Sequence, residues 1–394
     1  LTELREDASV PDIVVTESEL ALLTAHALSK SRVGIDIESN GRFAYRGRIA
    51  TVQVATEDGI FVIDPIAPGI AGDLSTFAPV LCAAGPVKVI HDVGFDARLL
   101  AEQGIRLGNV HDTALLASWL GRKATGLASL FASELGLPLD KSLQAQDWAA
   151  RPLTPVSLEY LKEDVRHLFA LDDRLWSEAL SLGITEEVTV ETEYRIASAE
   201  RSIREPDPRP LFSRVKGAER LGRVELAVLR RLCLAREEQA KRLDAPAGEL
   251  VQSGVLLAIA KAKPTSRAAL PAIRSPFLRA GSSEVLEALL AAVTLGVSDA
   301  EPPPEEMTWL DGPKLDVGAL KARREREARL STWRKAEALR RGVNEQVVLP
   351  GHCVTEIATR DVKTPEDLAL VAGFGDARAL RYGADILAAL APPP

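Results

Sequence analysis

The chain has 394 residues, 46% hydrophobic and 26% charged, with a formal net charge of −8; this is an ordinary globular composition in a length that calls for two or three domains. No apolar run approaches the ~18 residues that a membrane helix needs, and no basic start followed by an apolar core marks a secretory signal, although a chain beginning at Leu1 leaves a leader open. Cys82, Cys233 and Cys353 lie far apart, which argues against a disulfide framework and a zinc site, so a cytoplasmic protein is expected.

Charge is unevenly placed. Residues 1 to 180 hold 16 basic and 25 acidic side chains, whereas residues 211 to 290 hold 14 basic and 8 acidic. A basic segment joined to an acidic one suits a chain that grips a polyanion with its middle and seeks metal with its first part, although solvated surface charge gives the same counts.

After a polar start, Asp12 to Val15 reads as a short strand and Thr16 to Leu28 as a helix capped by Thr16 or Ser18. Strands are predicted over Val33 to Glu38, Ile49 to Ala55 and Ile60 to Ile63, joined by short connections as an antiparallel meander. The first of these carries Asp36 and Glu38, which point to one face because side chains alternate along a strand. Two carboxylates held side by side favour a cation between them; taken alone, the pair also fits the exposed edge of a sheet.

Leu74 to Ala83 is helical in pattern, and Val87 to Ile90 is a buried strand entering a helix at Gly94 to Glu102. Asp92 and Asp96 sit at that strand end and helix start, where a carboxylate is either a functional group or a simple cap. Beyond Val110 the pattern is helical, with breaks at Gly121, Gly136-Leu137-Pro138 and Arg151-Pro152. A mixed sheet covered by helices is therefore expected. A helix from Pro155 to about Leu180 follows the Thr154-Pro155 start signal, with Leu158, Leu161, Val165, Leu168, Leu171 and Leu175 as its apolar face. Tyr160 and Asp164, four apart on a neighbouring face, stand one turn above the other.

The charged and then Pro-rich stretch Glu186 to Pro210 reads as a linker. Residues 214 to 296 and 315 to 391 are helical in pattern, separated by a Pro and Glu-rich break over Ser298 to Pro313. A shift of 98 positions aligns Arg236 with Arg334, Ala240 with Ala338, Arg242 with Arg340, Ile259 with Ile357, Ala260 with Ala358 and Leu270 with Leu368, which points to a duplicated helical domain.

The order Asp36-Ile37-Glu38, then Asp96, then Tyr160-x-x-x-Asp164 resembles the three exonuclease motifs of the DEDD superfamily in its tyrosine subclass. Leu139-Asp140-Lys141-Ser142, Gln146-Asp147-Trp148, Arg151-Pro152-Leu153-Thr154 and Asp112-Thr113 are similar to ribonuclease D. Residues 214 to 296 resemble an HRDC domain, notably at Val215-Lys216-Gly217-Ala218, Leu229 to Leu232, Arg236 and Ala260 to Pro264, and the C-terminal block resembles a second copy. The resemblance implies an α/β fold: a ribonuclease-H-like (DnaQ-like) mixed-sheet exonuclease domain over 1–190, followed by a linker over 191–213. All-α HRDC-type domains would then span 214–297 and 315–394, with a linker over 298–314.

It further implies that Asp36, Glu38, Asp96 and Asp164 bind two divalent metals, Mg²⁺ or Mn²⁺, and that Tyr160 orients the attacking water. No organic cofactor is implied. Phosphodiester hydrolysis asks for these residue types on chemical grounds, and four acids without histidine or cysteine suit hard cations. His167 follows Asp164 where the histidine subclass would place its histidine earlier, so it is read as a neighbour of the site; Asp92 is a less favoured substitute for Asp96. The expected activity is a 3′–5′ exoribonuclease acting on RNA with a free 3′ end, such as tRNA precursors. A DNA-acting relative or a catalytically idle RNA-binding scaffold are the alternatives.

Nucleic-acid contacts are expected from Arg42, Arg46 and Arg48, with Phe43 or Tyr45 stacking a base, and from Lys216, Arg236, Lys261 and Lys263 in the first helical domain. A polar hairpin and a solvated basic face are the plainer readings of the same residues. The second helical copy is near neutral, so it is expected to keep the fold and grip RNA less.

Overall fold

The computed structural model describes residues 11–271, 283–311, 316–360 and 362–391; the polar start before residue 11 and the end of the 298–314 break lie outside them. The chain forms two compact units, one made of Leu1–Glu38, Ile49–Glu205 and Asp316–Pro394, the other of Ser39–Arg48 and Pro206–Leu315. No helix among the described residues is long and apolar enough to cross a membrane.

The first unit is built on a six-stranded mixed sheet. Its strands are β1 (Ile13–Val14), β2 (Arg32–Ser39), β3 (Ile49–Ala55), β4 (Ile60–Ile63), β5 (Val87–Ile90) and β6 (Val110–Asp112), in the order β1-β4-β3-β2-β5-β6. β3 and β4 are antiparallel, whereas β1 with β4, β2 with β5 and β5 with β6 are parallel. Every residue of β3 is buried, as its run of β-branched and small residues suits a central strand.

Helix α1 (Glu17–Leu28) starts in a capping box between Thr16 and Glu19. The expected helix over 74–83 shrinks to α2 (Ala78–Leu81), because Pro79 is tolerated only in a helix's first turn. α3 (Val93–Glu102) follows β5, and α4 (Thr113–Trp119) follows β6, a strand of three residues that is too short for its alternation to stand out from the helical run around it. The short α5 (Leu127–Leu130) precedes the Gly136 break.

Thr154 caps α6 (Pro155–Arg166) by accepting from Ser157 N–H, with Pro155 at the first position. A break at His167 separates it from α7 (Leu168–Ser181), yet the apolar spacing runs through, burying Leu161, Val165, Leu168, Leu171 and Leu175. Most of the stretch expected as a linker after residue 190 is helix: α8 (Thr185–Arg204) buries Val188, Thr192 and Ile196 at a spacing of four. Its charged composition hid it, because several of its acids are buried and paired within the unit.

The second unit carries α9 (Arg223–Leu243), α10 (Ala247–Leu250), α11 (Ser253–Ala262), α12 (Ser283–Asp299) and α13 (Pro304–Asp311), the last within the expected break. α14 (Val317–Arg341), α15 (Glu345–Val348), α16 (Gly351–Thr359), α17 (Pro365–Ala369) and α18 (Asp376–Leu390) belong to the first unit. The 98-residue repeat is visible at atomic detail. Asp244 and Gly342 both close their long helices in the left-handed conformation, and Arg236 and Arg334 donate to the carbonyls of Val251 and Leu349 at 3.2 and 3.0 Å.

Candidate active site

β2 places Ile35 and Ile37 in the core and turns Asp36 and Glu38 to the opposite face. Gly34 shares that face, and a Cβ there would lie 3.2 Å from Ala55 Cβ and 3.5 Å from Leu168 Cδ1. The missing side chain therefore lets Leu168 press against the strand, which brings Asp164, one turn earlier on the neighbouring helix, down to the two acids. Carboxylate oxygens of Asp36, Glu38 and Asp164 lie within 4.8 Å of one another.

Asp96, in the first turn of α3, is buried but lies outside that tight group. It still feels the same field: burial first, then Asp36 and Glu38, push its carboxyl well above the usual range. Withdrawal from water and the neighbouring Asp164 raise Asp36 to about 7, against the pull of Lys141. Burial, Asp36 and Asp164 raise Glu38 to about 8. Asp164 is raised by burial too, while Lys141 Nζ, 2.9 Å from its Oδ1, opposes the shift. All four carboxyls are shifted upward because one ammonium does not balance the set.

Tyr160 is buried one turn before Asp164, its ring 5.5 Å from that of Trp148. Burial, Asp164 and Glu38 raise its phenol, so it stays a neutral hydrogen-bonding group. Beneath the strand face, the buried Gln53 donates to Asp36 Oδ2 at 3.2 Å and accepts from Thr51 Oγ1 at 2.7 Å when its amide nitrogen faces the acid. Asp92 is exposed at the head of α3, His91 Nδ1 is 2.9 Å from Thr113 Oγ1 with burial pushing its ring down to about 4, and His167 packs edge-on to Phe131. Gln53 carried no sequence signal, since nothing in a buried strand marks one amide as facing an acid. Lys141 stands in a motif that was legible, but its contact with Asp164 was not.

The expected nucleic-acid residues are distributed differently. Arg42, Arg46 and Arg48 are exposed, in a loop closed by Arg48 N–H donating to Asn40 Oδ1 at 2.9 Å. Tyr45 is committed elsewhere: its hydroxyl donates to Glu237 Oε2 and its N–H to Asp244 Oδ1, both at 3.1 Å, and its ring packs on the core of the first helical domain. Base stacking by Tyr45 would require breaking those contacts. Lys216 and Lys261 are exposed, and Lys263 Nζ donates to Lys261 O at 2.9 Å. Arg236 is buried, tied to Val251 O and Ser253 Oγ, so its guanidinium braces the domain interior instead of presenting to a phosphate.

All donors in the cluster are carboxylate oxygens, their charge is under-compensated, and they converge from a strand and a helix; this fits a hard divalent cation.

Comparison with known proteins identifies the family. A 3′-5′ exonuclease family matches residues 11–179, and the HRDC domain family matches 225–281 and 323–390. Ribonuclease D of Desulfotalea psychrophila is 30% identical over 257 residues, covering 64% of this chain and 67% of that protein. Ribonuclease D of Pseudomonas paraeruginosa is 30% identical over 315 residues, covering 76% and 79%. The fold is similar to that of Escherichia coli RNase D, described as an exoribonuclease involved in structured RNA processing, with a TM-score of 0.66 at 21% identity over 96% of this chain and 98% of that one. An α/β exonuclease domain with a mixed sheet and two HRDC domains make up this chain, which belongs to the ribonuclease D family of 3′–5′ exoribonucleases.

Proposed function

We propose that the chain trims the 3′ ends of structured RNAs, tRNA precursors among them, by two-metal hydrolysis in the cytoplasm, releasing 5′-mononucleotides. The observation that carries this reading is the convergence of Asp36, Glu38 and Asp164 within 4.8 Å, with the first two raised to about 7 and about 8. Asp36, Glu38, Asp96 and Asp164 would hold two ions of Mg²⁺ or Mn²⁺. Such ions supply a hydroxide near neutral pH and neutralise the charge developing on the phosphate and the leaving 3′-oxygen.

The chain's own groups have separate tasks. Asp36 and Glu38 would hold the ions as deprotonated carboxylates, releasing their protons on binding. Tyr160, kept neutral, orients the attacking water through its hydroxyl. Lys141 holds Asp164 in place and offers a cation beside the scissile phosphate. Arg42, Arg46 and Arg48 supply exposed guanidinium groups for the phosphates of the substrate strand. Lys216 and Lys261 would add a second, weaker hold on RNA, raising its effective concentration at the site.

The test uses matched 3′-hydroxyl RNA and DNA oligomers and a tRNA precursor with Mn²⁺ or Mg²⁺. Progressive release of mononucleotides from RNA, blocked by a 3′-phosphate and by EDTA, is expected. Preference for DNA would favour a DNA-acting enzyme. Absence of metal-dependent products would leave the chain as an RNA-binding scaffold.

A further inference from the structure

Asp96 is placed by an unusual helix start. The residue that opens α3, Asp92, is in the left-handed conformation, φ 65° and ψ 67°, and its own side chain makes no cap. Few non-glycine residues adopt that conformation, aspartate more readily than most.

The backbone at this turn is held by a second carboxylate, Asp112, at the end of β6. Asp112 is fully buried, and its side chain accepts from four backbone N–H groups. Oδ1 takes those of Asp92 at 3.0 Å, Ala114 at 3.0 Å and Leu115 at 3.2 Å, and Oδ2 takes that of Val93 at 3.3 Å. One side chain thus joins the first turns of α3 and α4. Arg195 of α8 brings its Nη1 to 3.7 Å from Oδ2. The next residue, Thr113, ties down the strand before α3 by donating to Ile90 O at 3.3 Å.

We propose that Asp112, with Arg195 as its counter-charge, is a positioning residue of the exonuclease site: it fixes the first turn of α3 and so the place of Asp96 and the affinity of the carboxylate cluster for divalent cations. Asp112 is outside the cluster itself and touches no reacting group. The proposal rests on the reading of Asp96 as a metal ligand. Partners that orient ligands in this way typically govern metal affinity by about 10- to 100-fold.

Asp112→Asn keeps the size and one oxygen, but its amide sets a donor against the N–H groups or the guanidinium that the carboxylate accepts from. The full chain is titrated with Mn²⁺, free ion being read by electron paramagnetic resonance, well below each variant's melting temperature. Wild type, Asp96→Asn, Asp112→Asn, Arg195→Gln and Arg195→Lys are compared. The expected result is that Asp112→Asn weakens Mn²⁺ binding about 10- to 100-fold, that raised Mn²⁺ restores its kcat, and that KM for RNA is unchanged. Arg195→Gln should weaken binding less, and Arg195→Lys should restore it. Wild-type Mn²⁺ affinity in Asp112→Asn, or a folded variant whose kcat stays low at any Mn²⁺ concentration, overturns the proposal. If Asp112→Asn does not fold, Arg195→Gln decides: weakened binding supports the proposal and unchanged binding overturns it. No Mn²⁺ binding by wild type, or wild-type binding by Asp96→Asn, instead overturns the metal-site reading beneath it.

Discussion

The two HRDC copies share a skeleton and spend their cations differently. In both, the matching arginine, Arg236 or Arg334, is turned inward onto a carbonyl fifteen residues on. The first copy leaves Lys216 and Lys261 exposed. The second also has exposed cations, Lys321, Arg324 and Lys335 among them, but several of its other basic side chains are used inside the unit it shares with the nuclease sheet. Arg381 donates to Glu187 of α8, Arg341 lies 3.7 Å from the same carboxylate, and His352 Nε2 lies 3.0 Å from Glu191 Oε2 with its ring stacked on Tyr194 at 3.7 Å. Arg378 is 1% exposed and donates to the carbonyls of Val347, Gly373, Phe374 and Glu187. Duplication preserved the fold, while the partners of the duplicated surface diverged.

This contrast is most sharply tested at Arg378. Arg378→Met leaves buried carbonyls without donors and should destabilise the nuclease unit by about 3 kcal/mol or more, read by urea unfolding. A loss below about 0.5 kcal/mol would mean that the second copy is only loosely held.

A second difference lies in pH response. Asp36 at about 7 and Glu38 at about 8 bind protons more tightly folded than unfolded, so their contribution is present below the unfolded carboxyl range, near pH 4, and is lost as pH rises through about 8. In EDTA the nuclease unit should lose several kcal/mol across that window, and Mn²⁺ should reverse the loss by binding the deprotonated acids. Thermal melts at several pH values read this; a pH-independent melting temperature in EDTA would contradict it.

RNA binding should separate the copies again. Charge reversal at Lys216 and Lys261 should weaken RNA binding and reduce the slope of log affinity against log salt by about 0.7 for each phosphate that is no longer neutralised. Arg340→Glu, at an exposed position of the second copy, should leave the slope unchanged. Equal effects would erase the distinction. The smallest expected effect is at the loop after Glu38: Arg46→Glu or Arg48→Glu should lower affinity a few-fold and flatten the salt dependence, and unchanged salt dependence would remove the loop from the RNA path.

The acids were legible because their spacing is periodic: two positions apart on a strand, four apart on a helix from Tyr160 to Asp164. The duplication was legible for a similar reason, a constant shift of 98 residues. What escaped were contacts made across long sequence separations. Asp112 serves Asp92 from twenty residues away, Gln53 serves Asp36 from another strand, and neither has a local pattern. From the sequence α8 reads as linker because its buried Glu187 and Glu191 look solvated, their partners lying more than 150 residues on. Tyr45 reads as a base-stacking candidate for the same reason, its partners lying more than 190 residues later.

The proposed site has Asp36, Glu38, Asp96 and Asp164 together holding two divalent cations. Anomalous diffraction from a crystal soaked in Mn²⁺ tests it directly. Two peaks, each touching oxygens of these four residues, are predicted; a single peak, or manganese that leaves Asp96 uncoordinated, would contradict it.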